Sequence, residues 1–239
     1  MDETTRGGKR VAFFGGSFDP PHLGHLAVAR AARAALGLDA VLFAPVGAQL
    51  LKPNGATAGF EDRLAMTRLA VAGEPGFAVS LVDAPKPSGA PNFTLDSLLG
   101  LRAELPPESV LFCLMGADSF FTLRHWHRPV EIPFIAPLIV ASRPRQRVDD
   151  LQAALPEGVV LEFAPNAAPS DSAIEVKSYQ LRNSAGEHAP FYVLPGLNVE
   201  ISASDIREQV RAASGARTKG HELLSGAVSD YIRAHNLYR

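Results

Sequence analysis

Between residues 15 and 25 the chain reads GGSFDPPHLGH, and most of the chemistry it could carry starts there. Gly15 and Gly16 let a backbone approach a ligand with no Cβ in the way. The amides that follow, at Ser17 and Phe18, can then point at phosphate oxygens. Pro20 and Pro21 stiffen the turn and deliver His22 to the start of a helix. His22 and His25 are three apart and share a helical face, and Gly24 between them leaves room for a flat group or a phosphate. A helix N-terminus adds positive potential at the same place. Two imidazoles so placed can donate to phosphate oxygens. On these residues alone two other readings stay open: a pair of structural histidines, or part of a metal site. Two imidazoles are too few ligands for a metal, and Asp19 is as readily a loop-capping carboxylate, so no resident metal is expected.

A second cluster lies far along the chain, in VEISASDIREQV (199–210). Ser202 with Asp205 three later is a capping-box pattern that opens a helix. Arg207 adds an always-charged fork suited to phosphate. Hydroxyls at Ser202 and Ser204, free amides and a guanidinium at one helix start together make an anion site.

These residues need elements to hold them. Residues 1–9 read as a frayed tail. VAFF (11–14) is apolar without alternation, which suits a strand covered on both faces. HLAVARAARAAL is helical, with Arg30 and Arg33 on its wet side and Gly37 placed to end it. AVLFAP (40–45) is a second strand, so the first 45 residues form a βαβ unit. The alternation continues: helix over 60–72, strand over 77–82, helix over 94–105, strands over 110–115 and 136–141. This predicts an α/β fold, Rossmann-like, with a parallel sheet flanked by helices. In such a sheet ligands sit beyond the carboxyl ends of the strands, where Gly15–Ser17 fall. A strand over 159–163 and a last strand over 191–194 follow. Residues 165–190 are polar and read as a long insertion or mobile loop. Two helices close the chain, over 202–213 and 220–235. Residues 10–239 are thus expected to form one domain.

Composition narrows the choice further. Of 239 residues, 46% are hydrophobic and 20% charged, with 23 basic and 25 acidic side chains. A chain of this size can bury a large core, and its net charge of −2 leaves no basic excess to grip nucleic acid along its length. The one cysteine, Cys113, excludes a disulfide framework within the chain and reads as a small buried hydrophobe. With no signal-peptide core near residue 1 and no apolar run of membrane-spanning length, the expected place is the cytoplasm, with no membrane partner.

The GGSFDPPHLGH segment resembles the nucleotidyltransferase form of the HxGH motif, in the superfamily that also includes class I aminoacyl-tRNA synthetases. ISASDIR (201–207) is similar to the ISSTxIR motif of the same enzymes, with Ala203 lacking a hydroxyl and Ser204 where Thr is usual. Further segments resemble bacterial nicotinate-nucleotide adenylyltransferases. GADSFFTLRHW (116–126) is similar to their GxDxxxxxxxW segment, and PNFTLDSL (91–98) to SYTxDTL, with Phe93 for the usual Tyr. After the second strand the family has P-x-x-x-P-P-H-K, where this chain has Gln49-Leu50-Leu51-Lys52 before the end of that stretch.

The resemblance implies transfer of the adenylyl group of ATP, with Mg²⁺, to nicotinate mononucleotide. The products are deamido-NAD and diphosphate, a step of NAD biosynthesis. Gly15, Gly16, Ser17, Phe18, His22, Gly24, His25, Ser202, Ser204 and Arg207 would bind ATP, with His22, His25 and Arg207 neutralising growing charge. Lys52, Phe93, Thr94, Asp118 and Trp126 would bind the acceptor: Trp126 stacked on the pyridine, Asp118 on ribose hydroxyls, and backbone at Phe93 and Thr94 on the carboxylate. The alternatives are nicotinamide mononucleotide or phosphopantetheine as acceptor, or a catalytically weak nucleotide sensor, motivated by Gln49–Leu51 and Ala203. The oligomeric state is left open, a homo-oligomer being compatible with the sequence.

Overall fold

The computed structural model describes residues 8–47, 56–142, 148–163, 175–195, 201–212 and 222–239. Its strands are β1 (Arg10–Gly16), β2 (Ala40–Pro45), β3 (Phe77–Val79), β4 (Val110–Gly116), β5 (Leu138–Ala141), β6 (Val160–Phe163), β7 (Lys177–Arg182) and β8 (His188–Leu194). They form one sheet in the order β3-β2-β1-β4-β5-β8-β7-β6. Every pairing from β3 across to β8 is parallel, while β7 lies antiparallel to both β8 and β6. The helices are α1 (Leu23–Leu36), α2 (Phe60–Val71), α3 (Thr94–Glu104), α4 (Ala117–Thr122), α5 (Ile132–Ile135), α6 (Val148–Ala154), α7 (Ala203–Ala212) and α8 (Gly226–Ala234). The expected α/β class with helix-flanked parallel strands is what forms.

The unalternating apolar runs of the central strands follow from cover on both faces. Val11, Phe13, Leu111, Cys113 and Met115 pack on one side with Leu95, Leu98 and Leu101 of α3. Ala12, Phe14, Phe112 and Leu114 pack on the other with Leu26, Ala29 and Ala32 of α1. Burial at Cys113 pushes its thiol up to about 12. A third cluster joins α2, α7 and α8 through Met66, Ala70, Ile206, Val210, Val228 and Ile232. Ile206 is fully buried there. Burying a side chain of that size stabilises by about 1.5–3 kcal/mol, enough to fix the face that α7 turns outward.

The chain runs β1, β2, β3 toward one edge, then returns to place β4 on the other flank of β1. The order reverses at β1, and ligands of open α/β sheets bind at such a reversal, beyond the carboxyl ends. Gly16 ends β1 and Gly116 ends β4 at that point.

Three expectations need correcting. The strand expected over 77–82 stops at Val79, because the chain turns inward after it, with the Ala84 amide donating to the Leu81 carbonyl at 2.9 Å and Asp83 buried. Arg33 is half-buried rather than wet, lying where a Cβ at Gly76 would come within 2.4 Å of its Nε. The segment 165–190 is not a structureless insertion throughout. Residues 177–182 form β7 and residues from 188 onward form β8. Tyr179 and Leu181 point into the core while Lys177 and Gln180 are exposed; the strand is half-polar with period two, a composition that by itself looks like loop. Among the described residues no helix is long and apolar enough to cross a membrane.

Candidate active site

The turn after β1 is built around a buried ring. Phe18 adopts a left-handed backbone (φ 48), uncommon for a residue with a bulky side chain, and the Asp19–Pro20 bond that follows is cis. Its ring is 1% exposed and sits among Phe14, Phe43 and His25, at centroid distances of 5.6, 5.5 and 5.0 Å. Phe18 therefore seats the turn on the sheet and backs His25, and does not itself face a nucleotide. Gly15 lies beside Phe13, whose ring a Cβ would approach to 2.7 Å.

His22 is the N-cap of α1. Its amide donates to Nδ1 of His25 at 3.2 Å, and the His25 amide donates to the His22 carbonyl at 2.9 Å. The two rings stack at 3.7 Å with 28° between planes. An Nδ1 that accepts puts the ring proton of His25 on Nε2, making that nitrogen a donor. His22 is 7% exposed, and burial lowers its pKa from 6.5 to about 4, so this imidazole is neutral at pH 7. Its Nδ1 is buried, with no hydrogen-bond partner among the described residues.

Arg207 reaches the same turn from α7. Its Nη1 donates to the Asp19 carbonyl at 2.8 Å, its Nη2 donates to Ser204 Oγ at 3.1 Å, and Nη1 lies 3.9 Å from Asp19 Oδ2. Asp19 is three residues before His22, so the two sequence clusters, 185 positions apart from His22 to Arg207, meet at one turn. Ser202 caps α7, its Oγ accepting from the Asp205 amide at 3.5 Å. The start of α1 is tied to the same region, with the Leu23 amide donating to the Leu223 carbonyl at 2.9 Å.

The acceptor candidates form a second group. Phe93 caps α3 and Thr94 begins it. The Phe93 ring stacks on His127 at 4.2 Å, which brings the start of α3 to the segment holding Trp126. Trp126 is half-buried against the core and donates from Nε1 to Thr122 Oγ1 at 3.1 Å. Asp118 is exposed in the first turn of α4, directly after β4. Asp83 links the two groups. Its Oδ2 lies 3.7 Å from the place a Gly15 Cβ would take, and Ser97 of α3 donates to its Oδ1. Burial raises the Asp83 pKa, opposed by the Ser97 bond and by Lys86. Lys52 and Gln49–Leu51 lie outside the described residues. No group of three His, Cys, Asp or Glu among the described residues is arranged to hold a metal ion.

Asp19 is the loop-capping carboxylate that the sequence allowed, while Arg63 and Tyr238, which also hold the turn in place, were missed. Asp19 is the hub: its Oδ2 accepts from the Thr57 amide at 2.6 Å, and its Oδ1 from the Ala58 amide at 3.1 Å and the Tyr238 phenol at 2.8 Å. Arg63 is 2% exposed. It donates to the carbonyls of Ala58 (3.2 Å), Ser17 (2.7 Å) and Val46 (2.8 Å), clamping the loops after β1 and β2 to the start of α2. Burial pulls its pKa down, and Asp19 and Tyr238 oppose that. A signal for Arg63 existed. It falls at the i, i+3, i+4, i+7 spacing of Met66, Thr67 and Ala70, on the buried face of α2, where a cation needs partners.

The chain matches the cytidylyltransferase-like family over residues 13–209. A relative from Trichlorobacter lovleyi, named a probable nicotinate-nucleotide adenylyltransferase, is 33% identical over 96% of this chain and 99% of its own. Relatives of the same name from Gloeobacter violaceus (36% identical, 97% of each chain) and Laribacter hongkongensis (38%, covering 96% of this chain and 94% of the relative) are similar along the whole length. The fold is also that of Plasmodium falciparum nicotinic acid mononucleotide adenylyltransferase solved with NaAD, with a TM-score of 0.66 at 16% identity over 96% of this chain and 97% of that one. The chain belongs to the cytidylyltransferase-like family, within its nicotinate-nucleotide adenylyltransferases.

Proposed function

We propose that this turn and the helix start facing it hold ATP while the residues around Phe93 and Trp126 hold nicotinate mononucleotide. The reaction is adenylyl transfer. A 5′-phosphate oxygen of the mononucleotide forms a bond to the α-phosphorus of ATP, the bond from that phosphorus to the bridging oxygen breaks, and diphosphate leaves, giving deamido-NAD. A phosphate monoester is already anionic at neutral pH, its second pKa being about 6, so no protein nucleophile is required. The protein's work is positioning and neutralisation of charge on the α-phosphate and the leaving group.

The observation that carries this reading is the bond from Arg207 to the Asp19 carbonyl, which puts a guanidinium on the turn that bears both imidazoles. Nε2 of His25 supplies a donor to phosphate oxygens. His22, neutral at pH 7, sets a second imidazole against the first at the same helix start. Arg207, Ser202 and Ser204 face the β- and γ-phosphates. Mg²⁺ would enter with the nucleotide and supply positive charge to its phosphates. Asp118, Trp126, Phe93 and Thr94 place the acceptor.

The test is diphosphate release with ATP and either nicotinate or nicotinamide mononucleotide. Turnover with the acid form ahead of the amide is expected, and release with neither would reject the assignment. His25→Ala should lower kcat by about 10²–10³, the usual cost of one preorganised donor. Near-full turnover in a folded His25→Ala protein would remove the imidazole's role.

A further inference from the structure

Tyr238 lies in the stretch that follows the last helix, α8, and is 5% exposed. Two residues in this stretch, Asn236 (φ 54) and Tyr238 (φ 65), take the left-handed backbone. A tyrosine does so only where its surroundings hold it. The Leu237 amide closes back on the Ile232 carbonyl at 3.1 Å, and the Tyr238 ring packs with Met66, Ile206 and Ile232 between α2, α7 and α8. All of this aims one polar atom. The phenol donates to Oδ1 of Asp19 at 2.8 Å, across 219 positions of sequence. The carbonyl of that same Asp19 accepts from Arg207, and its Oδ2 lies 3.9 Å from the Arg207 Nη1.

We propose that Tyr238 is a positioning residue for ATP: through Asp19 it holds the Arg207 guanidinium in place for the phosphates and leaves its charge available to them. The inference rests on the reading in which Arg207 meets ATP. An Asp19 carboxylate satisfied by a phenol and two backbone amides has less pull on the guanidinium than one lacking a donor. In Tyr238→Phe the ring still fills the cluster, but Oδ1 keeps only the Ala58 amide. The carboxylate is then free to close on Arg207 as a full ion pair and to turn it from the phosphates. The phenol is a constant donor, because burial and the neighbouring Asp19 raise its pKa well above the ordinary range.

The experiment is steady-state kinetics of Tyr238→Phe, Arg207→Ala and the double variant in the full chain, with KM measured separately for ATP and for nicotinate mononucleotide. KM does not depend on how much of a preparation is folded, so partial unfolding does not blur it. The expected result is a KM for ATP about tenfold higher in Tyr238→Phe, the scale of one hydrogen bond to a charged group, with KM for the mononucleotide changed less than twofold. In the Arg207→Ala background the same change should add less than twofold. A lower melting temperature with both KM values unchanged would make Tyr238 a purely structural anchor and overturn the inference. Multiplicative effects of the two changes would overturn the route through Arg207. Arg207→Ala with unchanged KM for ATP would instead remove the underlying subsite reading, whatever Tyr238→Phe does.

Discussion

Replacing His22 by Gln should flatten the pH dependence of folding stability below neutrality, by an amount that follows from the burial of the ring. Above pH 6.5 the imidazole is neutral in both the folded and the unfolded chain and contributes no slope. Between 6.5 and about 4 the unfolded chain takes up a proton that the folded one refuses, so stability falls as pH falls. At about 1.4 kcal/mol per pH unit, the loss at pH 5 relative to pH 8 is about 2 kcal/mol, growing to about 3 kcal/mol at pH 4. Urea unfolding of wild type and His22→Gln at pH 8 and pH 5 reads this directly. Other titrating groups cancel in the double difference, and equal m-values show that both proteins expose the same surface. The wild-type protein should lose about 2 kcal/mol more than the variant over that interval. Parallel pH dependences would mean that the folded ring protonates as easily as a free one, and the neutral state assigned to it would go. Saturating ATP should narrow the gap, because phosphate oxygens beside the ring favour its protonated form.

Arg63→Met should cost at least about 3 kcal/mol in unfolding experiments, since it strands three carbonyls at about 1–3 kcal/mol each; a loss under 1 kcal/mol would mean that water or a rearranged loop replaces the clamp. Asp83→Asn should change the pH dependence in the opposite sense from His22→Gln. The folded Asp83 keeps its proton to a higher pH than the unfolded 3.8, so wild-type stability falls as pH rises above that value, while the neutral amide shows no such fall. A variant that parallels wild type from pH 3.5 to 7 would place the carboxyl in water. Trp126→Ala should raise KM for the mononucleotide by about 10- to 100-fold, the worth of one ring stacked on a base, and KM for ATP by less than twofold; the reverse pattern would exchange the two subsites.

The parts of this site that could be read from sequence are those where chemistry is packed into a few consecutive positions. His22, Gly24 and His25 sit in one turn of helix, and Ser202, Ser204 and Arg207 in another. That they meet is a consequence of Asp19, which by itself reads as any loop carboxylate. Arg63 shows in sequence only as a cation on the buried face of α2, and its partners at Ser17 and Val46 lie in other loops; Tyr238 meets Asp19 across 219 positions with no local pattern to mark it. Phe18 reads as a nucleotide contact because its neighbours in sequence do. Only the rings of Phe14 and Phe43, brought by the register of β1 with β2, decide that it turns inward. β7 was lost for another reason: KSYQLR carries its two buried residues, Tyr179 and Leu181, among exposed and half-exposed polar ones, and composition outweighed alternation.

The thiol of Cys113 lies on β4 in the middle of the sheet, 1% exposed and held in its unreactive form by burial. Being the only sulfhydryl in the chain, it makes the protein a natural blank for alkylating dyes. A maleimide will mark it only on excursions that pry the central strands apart, so its labelling half-time is a clock for global opening. A cysteine engineered on an outer helix would then carry a fluorophore at one known place, reporting nucleotide arrival without a background signal to subtract.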